Sequence, residues 1–341
     1  MKQLKNQISV IIPNYNRQEL IGETIENMLM QTLPPREVII VDDGSTDGSL
    51  SVIRSFSRHV KILEQKNQGP GAARNAGFAI STGKFIQFFD SDDLASRNKL
   101  KTQAEALEET CADFAYCPWV RVKIENKKIG FIGPVMQGQA LPKKRSMLEW
   151  QLGPWCIIFQ NCLFRREILL KAGRFRTDLM PSEDSEYLIR ILLAGAKPIF
   201  TEECIVFYRE HDYDRITDTG LTARQRTEDW KKYYEIVGDQ IKDRLSRFEQ
   251  ATKTEIAQCI YKHNSFCIKN GWHELKVKEP FHKIIDETSF LKILIKNICE
   301  KIKRKAQGIN NSTPISDGLK VRAKQRTDLE MAEQLGLTVI D

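Results

Sequence analysis

Four short apolar runs, each followed at once by a polar turn, constrain this chain more than any other feature. Ile8 to Ile12 stops at Pro13-Asn14-Tyr15-Asn16-Arg17, and Val38 to Val41 stops at Asp42-Asp43-Gly44-Ser45-Thr46-Asp47-Gly48. A third run, near Val60 to Glu64, leads to Asn67-Gln68-Gly69, and a fourth, Phe85 to Phe89, runs into Asp90-Ser91-Asp92-Asp93. Runs of this length, rich in branched and aromatic residues, read as strands buried on both faces. The stretches between them read as helices, from about Gln18 to Gln31, from the Asp47 turn to near Ser57, and from Ala72 to Ile80. Strand and helix in alternation imply a parallel sheet covered by helices on both faces. In such open sheets a ligand sits beyond the carboxyl ends of the strands, so the four polar exits are expected along one edge.

After Thr110 the pattern is mixed. Strands are expected at Phe114 to Lys123, Lys128 to Ile132 and Ile157 to Phe164, a helix at Asp184 to Ala194, and short strands at Lys197 to Phe200 and Ile205 to Tyr208. From about Leu221 the apolar spacing becomes helical, and Asn310 to Gly318 reads as a linker before a last amphipathic helix. The expected organisation is a domain over residues 1–220, a helical appendage over 221–308, and a linker with a terminal helix over 309–341. A chain of 341 residues accommodates this.

With 41% hydrophobic and 28% charged residues the composition is that of a globular protein. The net charge of +7 is spread among interleaved acids, which reads as a solvated surface and not as a nucleic-acid-binding face. Eight cysteines include no Cys-x-x-Cys pair and are expected to be reduced, mostly in the core. No secretory signal opens the sequence and no apolar stretch reaches the ~18 residues that span a bilayer, so the cytosol is the expected compartment. Residues 290–305 place Leu291, Leu294, Ile295, Ile298 and Ile302 on one helical face beside lysines. That face suits either packing on its own domain or peripheral contact with an anionic membrane.

The acidic cluster is the strongest chemical signal. Two carboxylates ~4 Å apart repel by roughly 4 kcal/mol at an effective dielectric of 20, so collecting three where a buried strand ends is costly without a cation. A divalent metal with oxygen ligands, Mg²⁺ or Mn²⁺, relieves the cost and suits a diphosphate. The same residues would also suit a solvated turn with a helix cap. Gly69-Pro70-Gly71 lacks the third small residue of a dinucleotide fingerprint, because Arg74 stands there, which weakens any hydride-transfer reading.

The exits of strands one to four, in this order and spacing, resemble the successive motifs of glycosyltransferase family two. The resemblance covers most of residues 8–211 and implies the α/β fold called GT-A, a mostly parallel sheet flanked by helices, here with a C-terminal helical appendage. It also implies an inverting, metal-dependent transfer from a nucleotide-diphosphate sugar to an acceptor hydroxyl, most commonly in polysaccharide or surface-glycan assembly. Carried over by position, Pro13 and Tyr15 border the base, Asp43 binds it, Arg74 lies near the nucleotide, Asp90 or Ser91 lies near the ribose, and Asp92 ligates Mn²⁺ or Mg²⁺. A carboxylate at Asp43 accepts from the N3–H of uracil or thymine and finds no such proton on neutral cytosine, which favours a UDP- or dTDP-sugar over a CDP-sugar and leaves guanine open. Asp42 and Asp47 read as turn and cap residues, and Asp93 as support for the following helix.

Inversion needs a base opposite the departing diphosphate. Glu183-Asp184-Ser185-Glu186 resembles the family segment in which the Asp of a Glu-Asp pair opens a helix and accepts the proton, which makes Asp184 the candidate base. A helix amino terminus is expected to favour its charged form, although Ser182 or Asp184 could simply cap the helix. Tyr208-Arg209-Glu210-His211 resembles a further motif, in which His211 touches the metal or diphosphate, while Arg209 suits a structural ion pair equally. Trp150 and Trp155 read as core residues or as a sugar-stacking pair. The acceptor is left open among glycans, lipid-linked saccharides and small molecules. Two other readings use the same acids: a nucleotide-sugar-binding module without activity, and a metal-dependent nucleotidyltransferase.

Overall fold

The computed structural model describes residues 7–125, 128–142, 145–153, 157–211 and 222–277, with isolated positions at 281, 335 and 338–339. The linker at 310–318, the terminal helix, the segment 290–305 and Trp155 lie outside these residues. The chain divides into two compact units, one of residues 1–141, 157–215 and 320–341, the other of 142–156 and 216–319.

The first unit opens with β1 (Ile8–Asn14), α1 (Ile21–Leu29), β2 (Glu37–Asp42), α2 (Ser49–Ser55), β3 (Lys61–Glu64), α3 (Pro70–Ile80) and β4 (Phe85–Phe88). Every residue of β1, β2 and β4 is buried, as their unbroken apolar runs require. These four strands pair in parallel in the order β4, β1, β2, β3. Their carboxyl ends therefore share one edge, as the polar exits imply. The approach of α3 to the sheet is close: a Cβ on Gly77 would lie 2.5 Å from Ile11 Cγ2. Glycine is what lets helix and strand meet there.

The unit continues through β5 (Leu94–Ala95), α4 (Lys99–Glu109), β6 (Phe114–Tyr116), β7 (Trp119–Glu125) and β8 (Lys128–Met136). The strand expected over Phe114 to Lys123 is thus two strands, broken at Cys117-Pro118 and placed in different sheets. The strand expected over Ile157 to Phe164 is instead a single 3₁₀ turn at Phe159–Asn161 followed by β9 (Leu163–Arg165). Beyond it come α6 (Arg166–Ala172), α7 (Glu183–Leu193), β10 (Pro198–Phe200) and β11 (Val206–Arg209), with α5 (Met147–Gln151) earlier in the chain belonging to the second unit. The main sheet has seven strands in the order β10-β6-β9-β4-β1-β2-β3, antiparallel only where β9 lies between β6 and β4. A smaller sheet runs β12-β8-β7-β11-β5, with β12 (Thr338–Val339) parallel to β8.

Phe88 of β4 meets Phe175 edge to face at 5.1 Å, and Phe175 meets Tyr187 of α7 at 4.1 Å. This aromatic chain ties α7 to the end of β4. Cys117, Cys162, Cys204 and Cys267 are buried free thiols, as expected of reduced core cysteines. The second unit is helical among its described residues, with α8 (Ala223–Ile241) opened by a Thr222–Gln225 capping box and α9 (Gln250–Lys269). Trp150 lies under Arg145, whose guanidinium carbon is 4.8 Å from the ring. No helix among the described residues is long and apolar enough to cross a membrane.

Candidate active site

At the end of β1, Asn14 donates to Asp42 Oδ1 at 3.0 Å, and Asp42 also takes the Ser45 amide and hydroxyl. Asp47 accepts from the Gln18 and Ser49 amides. Both aspartates are spent on turn geometry, as expected. Asp43 turns the other way and holds the exit of β3: its Oδ1 takes Gln65 Nε2 at 2.7 Å and the Gln68 amide at 2.9 Å, and its Oδ2 takes the Gly69 amide at 2.8 Å. A carboxylate has about four acceptor positions, so one on Oδ2 is left for a ligand donor. Gly69 follows this contact with φ of 86°, a left-handed conformation that glycine supplies cheaply. Pro13 is buried beside this edge, and Tyr15 is exposed beyond it.

The acids after β4 have separate surroundings. Asp92 Oδ2 lies 3.0 Å from Arg17 Nε and 3.2 Å from His211 Nε2. Burial pushes its pKa up, but the hydrogen bond from His211 and the charge of Arg17 outweigh burial and hold the carboxyl below the ordinary aspartate range. Asp93 is buried and receives the Arg209 amide at 2.9 Å and Gln160 Nε2 at 2.6 Å. Burial, with Asp92 and Asp90 close by, raises its pKa well above the usual value. Asp93 does not support the next helix, contrary to expectation. It fastens β11 and the 3₁₀ turn to the acidic loop, because the chain runs through β5 before α4 begins at Lys99. Ser91 is buried, with its carbonyl taking the Thr24 hydroxyl.

Arg209 is a structural ion pair. Its guanidinium reaches Glu23 Oε2 at 2.5 Å, Thr24 Oγ1 at 3.0 Å and the Asp92 carbonyl. Arg209 and His211 thus bind opposite ends of Asp92, backbone and side chain.

Arg74, on α3, joins the acidic loop to α7. One guanidinium nitrogen lies 2.9 Å from Asp90 Oδ1 and the other 2.6 Å from Glu183 Oε1, with the carbon 5.6 Å from the Phe175 ring centroid. Burial lowers the pKa of Arg74, but the carboxylates of Asp90, Glu183 and Asp184 reverse this and raise it. Burial raises Asp90 despite Arg74, and it pushes Glu183 up to about 7. Asp184 is half-buried and its Oδ1 takes the Ser185 amide. Its pKa is also raised, mainly by burial and against the pull of Arg74. Burial therefore opposes the favouring of the charged form that the helix amino terminus supplies. Ser182 makes no side-chain cap to α7.

The structure thus places Asp90, Arg74, Glu183 and Asp184 in one electrostatic cluster, and Asp92, His211 and Arg17 in another that adjoins it through the acidic loop. Arg17 is the partner that sequence reading passed over: it is 75 residues from Asp92. Its only signal is its place in the polar exit of β1.

Among the described residues no three His, Cys, Asp or Glu side chains converge as metal ligands. Asp92 and His211 offer an oxygen and an imidazole nitrogen, a donor pair that suits Mn²⁺ better than Mg²⁺. Diphosphate oxygens and water are the ordinary ligands that complete such a site.

A mostly parallel sheet with its polar exits and acids on one edge defines an α/β domain whose ligand-binding edge lies at the carboxyl ends of its strands. Residues 9–173 match the family described as glycosyl transferase family 2. Among curated relatives, an uncharacterized glycosyltransferase of Rickettsia conorii is 40% identical over 132 residues, 38% of this chain and 22% of that protein. An uncharacterized glycosyltransferase of Nostoc sp. is 27% identical over 277 residues, covering 78% of this chain and 84% of the relative. This chain spans about a fifth of the length of the Rickettsia relatives it matches. Among solved structures, S. aureus TarS in complex with UDP-GlcNAc aligns with a TM-score of 0.58 at 21% identity, over 92% of this chain and 95% of that one. The mannosyltransferase PcManGT of Pyrobaculum calidifontis, in complex with GDP-Man and Mn²⁺, aligns with a TM-score of 0.51 at 18% identity, over 87% and 88%. The fold is therefore of GT-A type.

Proposed function

We propose that this chain transfers a sugar from a nucleotide-diphosphate sugar, a UDP-sugar by the chemistry of Asp43, to an acceptor hydroxyl with inversion. The observation that carries this reading is the Arg74 bridge, which sets buried Glu183, with half-buried Asp184 next to it, beside Asp90 at the ligand-binding edge of the sheet.

In this reading Pro13 and Tyr15 border the base, the free acceptor position of Asp43 takes the uracil N3–H, and Asp90 with Ser91 faces the ribose. Asp92 and His211 would hold Mn²⁺ or Mg²⁺, which when bound would supply Lewis-acid stabilisation of the leaving diphosphate. Asp184 takes the acceptor's proton, and its raised pKa brings its basicity closer to what proton transfer near neutral pH needs. Arg74 keeps Asp184 anionic enough to act, while Glu183 holds Arg74 in place. Displacement is direct, with no covalent intermediate.

The UDP-GlcNAc of one structural neighbour and the GDP-Man with Mn²⁺ of another support a nucleotide-sugar donor with a metal. The pathway proposed is polysaccharide or surface-glycan assembly, at the cytosolic side, on a glycan or lipid-linked acceptor. The domain division proposed is catalytic residues 1–220 followed by the helical appendage and terminal segment.

A screen of UDP-sugars and GDP-mannose with Mn²⁺, followed by mass spectrometry of products from lipid-linked and soluble acceptors, tests the reading. Transfer from any of these donors, abolished in Asp184→Asn while donor binding persists, supports it. Release of pyrophosphate from UTP and a sugar phosphate, with no transfer, would replace it with nucleotidyl transfer.

A further inference from the structure

An acidic loop at the end of a buried strand is costly without a cation, yet in the folded chain each of its acids already has a resident partner. Asp90 pairs with Arg74 at 2.9 Å, Asp92 pairs with Arg17 at 3.0 Å, and Asp93 takes the Arg209 amide and Gln160 Nε2. Arg209 also reaches the Asp92 carbonyl, but its own charge is met by Glu23 at 2.5 Å. The countercharge that matters at the proposed metal ligand is therefore Arg17.

Arg17 is held too firmly to step aside. Its amide donates to Ser49 Oγ at 2.7 Å, and its carbonyl accepts from the Leu20 and Ile21 amides at 2.9 Å each as α1 begins. Its Nη1 donates to the Asn16 carbonyl at 2.9 Å and the Tyr15 carbonyl at 3.4 Å, while Nε holds Asp92 Oδ2. Asn16 has φ of 51°, a left-handed conformation that asparagine tolerates, and the turn it makes brings both carbonyls to the guanidinium. The side chain is 9% exposed and meets no second carboxylate among the described residues. A guanidinium does not lose its proton in a protein, so this countercharge is permanent.

Arg17 and His211 share Oδ2 of Asp92, and no donor among the described residues reaches Oδ1. A divalent ion on this carboxylate would share a single negative charge with a fixed guanidinium, and the two cations would repel each other. Diphosphate oxygens bring the negative charge that is missing.

We propose that Arg17 is a positioning residue that acts through Asp92 as its resident countercharge, so that the site takes a divalent ion well only together with a nucleoside diphosphate. The proposal deepens the transferase reading and rests on its assignment of Asp92 to a metal.

Electron paramagnetic resonance titration of the full chain with Mn²⁺, with and without UDP and with binding of Mn²⁺ by UDP in buffer subtracted, tests it. The parent should bind Mn²⁺ about tenfold or more tighter with UDP present. Without UDP, Arg17→Met and Arg17→Gln should each bind Mn²⁺ about tenfold tighter than the parent, and the gain from UDP should shrink to match. Arg17→Lys keeps the charge and should stay near the parent. Circular dichroism checks folding, and Arg17→Gln, which keeps N–H donors for the turn, carries the test if Arg17→Met does not fold. Neutral variants that bind Mn²⁺ no tighter than the parent, or Arg17→Lys tightening as they do, would overturn the proposal while leaving the metal reading in place. A parent that binds no Mn²⁺ even with UDP would remove the metal reading and this proposal with it.

Discussion

The acidic loop after β4 and the acidic start of α7 are made from the same kind of residue, yet they hold charge differently. Asp92 has Arg17 and His211 on one carboxylate oxygen and lies below the ordinary aspartate range. Glu183 and Asp184 share the influence of one buried arginine that also serves Asp90, and both lie above their ordinary values. The difference is in the number of hydrogen-bonding partners per carboxylate and in burial, not in residue type. A group kept firmly ionised is suited to holding a cation. A group whose pKa is raised is suited to moving a proton. Sequence spacing alone cannot assign these roles, because acids after a strand and acids opening a helix say nothing of the arginines that stand beside them in the fold.

The largest test of this contrast is Asp184→Asn, which removes the proposed proton acceptor and leaves the proposed donor site intact. It should lower kcat by roughly 10²–10⁴-fold with little change in UDP affinity measured by calorimetry. Equal turnover in that variant would erase the distinction. Asp92→Ala comes next: transfer should fall by about 10²-fold or more, since removing one electrostatic donor from a reacting site costs about that much. Its signature should be a higher Mn²⁺ requirement in a metal titration, which Asp184→Asn lacks. Arg74→Met strikes the link between the two regions. Leaving Glu183 and Asp90 without their partner should destabilise the fold by about 3–5 kcal/mol, read by urea unfolding.

The smallest effects are in pH dependence, and they sharpen the comparison by sign. Glu183 has a folded pKa of about 7, above its unfolded value. Its contribution to stability is therefore full below the unfolded pKa and is lost as pH rises through about 7. Glu37 is the reverse case. Burial raises it, but Lys61, Ser9 and Thr82 bring it down to about 2. It contributes above its unfolded pKa and loses this as pH falls through about 2. Urea unfolding across pH should show Glu183→Gln flattening the slope between about pH 4.5 and 7, and Glu37→Gln costing about 1–3 kcal/mol at neutral pH but less near pH 2.

The half of the fold that ends at β4 was readable because its signals are local. An apolar run, a turn and a helix lie next to one another in the chain, and parallel pairing follows from their alternation. Phe114 to Lys123 misled because its apolar pattern is continuous, whereas the sheet to which each half belongs is decided by strands 50 or more residues away, β9 for one half and β11 for the other. Ile157 to Phe164 misled because Gln160 and Asn161, which read as strand residues, spend their side chains on Asp93 and the Cys117 carbonyl. Asp43, Asp92 and Asp184 were singled out through the family resemblance, and the roles given them remain tied to it. The charge states of Asp92 and of the Glu183-Asp184 pair were not legible, since these depend on Arg17, 75 residues from Asp92, and on Arg74, 109 residues from Glu183.

Helix α3 has one more consequence. Gly71 leaves no room for a side chain against the Arg176 carbonyl, 2.5 Å from where its Cβ would stand, and Gly77 leaves none against Ile11. Arg74 lies between these two close contacts. Substitution at either glycine would push the helix away and carry the guanidinium off both of its carboxylates together. For anyone redesigning the donor or acceptor preference of this protein, Pro70–Ile80 is best transplanted or left as one block, with variation directed to the turns around it.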